Sequence, residues 1–170
     1  MGIRSLSPRR AAFRAALWAS AFLLLGVSSF AGDTFLLAGA GLGNLRYPPR
    51  QAYASLEMTR TFGSSPWGIW GTAEAGAHEA YLGVGLLFQW PLCERWVLGI
   101  GSGPGWYSNH RPLNLGSDLE FRSTAYLMYR MESGWRIGAS VSHYSNAGLG
   151  THNPGAESLR LFVAIPLGRR

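Results

Sequence analysis

From residue 34 onward, apolar and polar residues alternate with a period of two, as in strands with one face on each side of a sheet. Turn signals divide this stretch into eight runs, roughly 34–44, 50–62, 66–77, 79–91, 95–108, 117–131, 134–146 and 157–168. No window places apolar residues convincingly at helical spacing. The pattern predicts an all-β chain, and eight is the smallest common strand number of an outer-membrane barrel.

The faces separate a soluble barrel, which turns bulky apolar residues inward, from a membrane barrel, which turns them toward lipid. In the fourth run Leu82, Val84, Leu86, Phe88 and Trp90 oppose Tyr81, Gly83, Gly85, Leu87 and Gln89. In the fifth, Trp96, Leu98, Ile100 and Trp106 oppose Val97 and four glycines. A narrow interior suits the small face. The sixth run sets Leu119, Phe121, Ala125, Leu127 and Tyr129 against Glu120, Arg122, Thr124, Tyr126, Met128 and Arg130. With Glu57, Glu74, Arg136 and Arg160 on equivalent faces, the expectation is a paired polar interior and an apolar exterior, since charges facing lipid are costly.

The connections agree with a closed, up-and-down, antiparallel transmembrane barrel. Those at 63–65, 92–94 and 132–133 are short, and those at 45–49, 109–116 and 147–156 are longer; the tight third connection near His78 breaks the alternation. Trp67, Trp90, Trp96 and Trp135 fall at the short-turn end, where an aromatic girdle is expected.

Composition changes the picture mainly at the start of the chain. Residues 1–31 carry Arg4, Arg9, Arg10 and Arg14, an apolar run from Ala15 to Val27, and Ser29-Phe30-Ala31. They read as a signal peptide, with a mature barrel over 32–170. Without that segment, eleven basic residues face nine acidic ones, and the formal charge falls from +6 to +2. The basicity that suggests nucleic acid therefore belongs mostly to the leader, and no nucleic-acid partner is expected. The lone Cys93 cannot form an internal disulfide. No His, Cys or acidic cluster has metal-ligand spacing, so neither metal nor cofactor is expected. The glycines from Gly99 to Gly105 precede no helix, so they suit a barrel interior better than a phosphate loop.

Candidate chemistry sits at the end of the seventh run, where His143 and Ser145 continue the apolar stripe of Trp135, Ile137, Ala139 and Val141. Residues i and i+2 of a strand project the same way, about 7 Å apart at Cα, close enough for an imidazole to serve a hydroxyl as base. Glu157 heads the apolar stripe of the eighth run and, with antiparallel pairing, lies across from His143. Each residue alone has a plain structural explanation as a rim or turn residue. A nucleophile, a base and a carboxylate on one face make a coherent set.

The string His143-Tyr144-Ser145-Asn146-Ala147-Gly148, the loop Asn153-Pro154-Gly155 and Glu157, fourteen residues after His143, resemble the C-terminal motif of the lipid A 3-O-deacylase (PagL) family. The resemblance implies an outer-membrane esterase, in the outer-membrane location of that family, that hydrolyses the 3-O-linked acyl chain of lipid A. Its active site would face the outer leaflet. It implies Ser145 as nucleophile, His143 as general base and acid, and Glu157 as the orienting carboxylate, with Asn153 and the Gly148 backbone as oxyanion-hole candidates. The implied partner is lipopolysaccharide in the outer leaflet; a homodimer stays open. Arg46, Arg50 and Arg111, in proposed outer loops, are phosphate-binding candidates. The motif match covers residues 143–157, and the rest agrees in architecture. One departure is Leu167-Gly168-Arg169-Arg170, where such barrels usually carry an aromatic residue. The competing readings are a non-enzymatic outer-membrane barrel for adhesion or envelope structure, and a soluble lipid-binding barrel with its bulky residues inward.

Overall fold

The computed structural model describes residues 32–108 and 114–168. The expected signal peptide and Arg111 lie outside the described residues. Eight strands follow one another: β1 (Thr34–Gly43), β2 (Gln51–Thr61), β3 (Trp67–Gly76), β4 (Ala80–Pro91), β5 (Trp96–Tyr107), β6 (Leu119–Arg130), β7 (Arg136–Ser145) and β8 (Ala156–Pro166). Each pairs antiparallel with the next, and β8 returns to β1, so the barrel is closed and no edge is left unpaired. The expected runs and the observed strands coincide to within a few residues.

The predicted faces hold. Leu86, Trp90, Ile100, Leu127, Ile137, Val141 and Leu161 are exposed on the outer wall, whereas Leu87, Val97, Tyr126 and Met128 are buried inside. This arrangement excludes the soluble barrel, which would hide its bulky aliphatic face. Trp67, Trp90, Trp96 and Trp135 are all exposed near the short-turn end. That is the position of an interfacial girdle, where an indole keeps its ring in the apolar zone and its N–H in the wet one.

Inside, Glu57 is the central anion. Its Oε2 lies 2.8 Å from Arg122 and 3.2 Å from Arg160, and its Oε1 accepts a hydrogen bond from the Tyr126 hydroxyl at 2.8 Å. Arg122 also reaches Glu74 at 3.3 Å, and Glu74 accepts from the Tyr144 hydroxyl. Fully buried charges are tolerable only with this degree of mutual satisfaction. Arg136 stands apart from this group, near the short-turn end, where it donates to Gln89 at 3.1 Å and covers the Phe35 ring.

The glycines of β4 and β5 make room for two aromatics. A Cβ on Gly85 or Gly101 would come within 2.8 Å of the Trp70 indole, and one on Gly83 or Gly105 would strike Tyr81. The small interior face is thus filled by large side chains from neighbouring strands. At the long-loop end, Glu79 accepts a hydrogen bond from the Tyr107 hydroxyl at 2.8 Å and lies against Gly43. Burial pushes its carboxyl above the usual range; the Tyr107 bond works in the opposite sense, and Glu74 adds to the rise.

The interior pairing generates one prediction. Glu57→Gln leaves Arg122 and Arg160 buried without their shared counter-charge, and unfolding from lipid vesicles in urea should show a loss of about 3–5 kcal/mol.

Candidate active site

The register of β7 against β8 runs unbroken from Arg136↔Ala164 to Tyr144↔Ala156, and within it His143 lies directly across from Glu157. No bulge intervenes, so the parity read from the sequence is preserved. His143 Nδ1 lies 3.3 Å from Glu157 Oε1, with the imidazole about half exposed on the outer wall (51%) and the carboxylate more sheltered (32%). Ser145 is two residues further along on the same face, at the last position of β7. The structure therefore brings His143 and Glu157 into contact and sets Ser145 next to them, at the rim where the long loops begin.

Gly155 shapes the ring's position. It adopts φ +69°, and a Cβ there would lie 2.8 Å from His143 Cε1. The left-handed backbone and the close imidazole both require glycine. With Nδ1 turned toward Glu157, Nε2 is the nitrogen left to serve a hydroxyl; a proton on Nδ1 donated to the carboxylate fixes that tautomer.

The loop between β7 and β8 is organised by Asn146, a turn residue by type whose side chain is fully buried. Its Nδ2 donates to the carbonyls of Leu115 and His152, both at 2.7 Å. Its Oδ1 accepts from the Gly148 amide at 2.9 Å, and its own amide donates to Asn153 Oδ1 at 3.2 Å. The Asn146 carbonyl accepts from Leu149 across Ala147 (φ 53°) and Gly148 (φ 79°), a tight turn with both central residues left-handed. His152 hydrogen-bonds the Asn114 carbonyl at 3.0 Å and so ties this loop to the one before β6.

These contacts bear on both oxyanion-hole candidates. Asn153 lies on the loop with its oxygen already engaged, which leaves its amide N–H groups as donors. The Gly148 amide is engaged by Asn146 Oδ1. Arg46 and Arg50 are exposed between β1 and β2, and Arg46 lies over the Tyr47 ring, 5.4 Å from its centroid. Among the described residues, no group of three His, Cys, Asp or Glu side chains could hold a metal ion.

Just below this rim, Ile100, Ser123, Ala125, Val141, His143 and Glu157 line a shallow groove on the outer wall. It is mostly apolar and leads from His143 toward the middle of the barrel.

The fold and rim define a class: a small membrane-type barrel with a serine, a histidine and a glutamate on its outer wall. Comparison with known proteins gives the family. The model of the lipid A 3-O-deacylase (PagL) family matches residues 47–166, and the chain belongs to that family. It is similar to the lipid A deacylase PagL of Bordetella bronchiseptica, 29% identical over 111 residues, covering 64% of this chain and 62% of that protein. It is also similar to that of Pseudomonas aeruginosa, 43% identical over 54 residues, covering 32% of this chain and 31% of the relative. The matches therefore span less than two thirds of either relative's length. Among solved structures, the outer membrane enzyme PagL superposes with a TM-score of 0.63 at 21% identity, covering 78% of this chain and 99% of that one. The Yersinia pestis outer membrane protein Ail superposes with a TM-score of 0.52 at 13% identity, covering 80% of this chain and 99% of its own. At these identities the structural likeness speaks for the fold.

The role of Asn146 is testable without any substrate. Asn146→Ala removes the donor to two loop carbonyls, at about 1–3 kcal/mol for each group left buried and unsatisfied. Limited proteolysis of the folded barrel should then cut within residues 147–155 under conditions where the wild type resists.

Proposed function

We propose that this protein is an outer-membrane esterase that removes the 3-O-linked acyl chain of lipid A through an acyl-enzyme on Ser145. The observation that carries this reading is the 3.3 Å contact between His143 and Glu157, with Ser145 two residues along the same outward face. Family membership supports the choice of substrate.

In the proposed reaction His143 Nε2 takes the Ser145 proton as Oγ attacks the ester carbonyl. Glu157 holds the imidazole through Nδ1 and stabilises it once it is charged. Negative charge on the former carbonyl oxygen is met by donors of the β7–β8 loop, with the Asn153 side-chain amide as the first choice. Collapse breaks the bond to the sugar oxygen, which leaves with the proton returned by His143. Water, activated by the same imidazole, then attacks the acyl-serine; the free fatty acid departs and Ser145 is regenerated.

The location of the triad agrees with the substrate. The interior is packed, so a lipid ester has no access from within. The outer wall at the rim is where an acyl chain lying in the outer leaflet meets its sugar. Arg46 and Arg50 are exposed between β1 and β2 and are offered as ligands for the sugar phosphates, with Arg111 added from its sequence position alone.

Mass spectrometry of lipid A from cells expressing the protein should reveal a species lacking one ester-linked acyl chain. With Ser145→Ala or His143→Ala the rate should fall by about 10³-fold or more. Glu157→Ala should fall less far, as expected of a residue that acts only through the imidazole. Unaltered lipid A with correctly inserted wild type would overturn the esterase in favour of the non-enzymatic barrel.

A further inference from the structure

The short-turn mouth of the barrel holds a second concentration of charge, at the opposite end from the triad. The ladder between β6 and β7 sets Arg130 directly across from Arg136. Both positions share the inward parity of Met128 and Ser140, which are buried. Cross-strand neighbours hold their Cβ atoms about 4.5–5.5 Å apart, and like charges placed this way repel.

The surrounding carboxylates do little to offset that repulsion. Asp33 reaches Arg136 only at 4.0 Å, and its side chain is 75% exposed. Glu132, in the turn that joins the two strands, pairs with Arg95 at 3.1 Å. Among the described residues Arg130 makes no ion pair, and its Nε is buried without a hydrogen-bond partner. Arg136 is 5% exposed and is held in place by Gln89 and the Phe35 ring. Both arginines line a mostly polar cavity of about 200 Å³, closed by Asp33, Thr34, Gly134 and Pro166. At about 30 Å³ for each water in the liquid, such a cavity has room for a small anion and several waters.

We propose that Arg130 and Arg136 form a seat for a small oxyanion, a phosphate or a carboxylate, entering from the short-turn side, which is periplasmic in such barrels. A guanidinium presents a planar fork of N–H donors that matches two oxygens of either group. Deeper inside, Glu57 lies between Arg122 and Arg160 and turns two cations into a favourable cluster. An oxyanion between Arg130 and Arg136 repeats that arrangement with a ligand in place of the glutamate. Because Arg136 is already fixed by its neighbours, little ordering is left for the ligand to impose. The seat lies at the far end of the barrel from His143 and Glu157, so it stands or falls independently of the esterase reading.

The test follows the arginine Nε–H resonances of the full barrel in maltoside micelles, whose headgroups carry no phosphate. The barrel is titrated with inorganic phosphate, with sodium acetate and with sodium chloride at matched ionic strength. The Arg130 and Arg136 signals should move saturably with phosphate or acetate and stay in place with chloride. The anion that saturates at the lower concentration identifies the class of ligand. Arg130→Gln should raise the half-saturating concentration by roughly tenfold or more, the scale of one charge-assisted contact. The same substitution relieves the cross-strand repulsion. In chloride the Arg130→Gln barrel should therefore melt no lower than wild type, and the preferred anion should raise the Tm of wild type alone. Equal, unsaturable drift in all three salts overturns the seat, and so does a half-saturation unchanged by Arg130→Gln. A variant that melts below wild type in chloride also overturns it, because Arg130 would then have a structural partner.

Discussion

Everything at the rim depends on an alternation that never slips. A strand residue faces in or out according to its parity, and one residue inserted into the ladder anywhere between Ser102 and Glu157 would turn the later side chains of that strand to the opposite face. From β5 through β8 the register is continuous in this region, so four strands deliver Ser102, Ser123, His143 and Glu157 to one level of one wall. Closure fixes the same alternation in the other direction, because β8 must meet β1 with its charges already turned inward. The buried Glu57 group and the outward-facing His143–Glu157 pair are two results of the same constraint.

The two faces solve opposite electrostatic problems. Inside, arginine and glutamate are brought together from β2, β3, β6 and β8 and satisfy one another, with tyrosine hydroxyls completing the set. Outside, polarity is restricted to the rim, where the membrane gives way to headgroups. A histidine and a glutamate can remain there because each has the other, and because β7 ends within two residues of the pair.

Much of this was legible in the chain. Eight runs, their faces, the connection lengths and the girdle all derive from a period of two and a few turn residues, and they survive because closure leaves each strand only two neighbours. The shared outward face of Ser145, His143 and Glu157 was legible for the same reason, since parity is a local property. The illegible part depends on distances across the barrel. Trp70 belongs to the interior, but its place is defined by glycines on β4 and β5, well away in sequence. Arg136 fits the inward face, yet it meets Gln89 and, at 4.0 Å, Asp33 rather than Glu57 and Glu74, because it differs from them in depth along the axis. Asn146 has the character of a turn residue, and it is one. Its hydrogen bonds to the carbonyls of Leu115 and His152 depend on two long loops meeting, which strand periodicity does not describe.

The filled interior has a consequence beyond catalysis. Trp70, Arg122, Tyr126 and Arg160 are nearly inaccessible to solvent, and together they occlude the axis along which a larger barrel would conduct ions and solutes. A cell can therefore hold many copies of this protein in its outermost barrier without making that barrier leak.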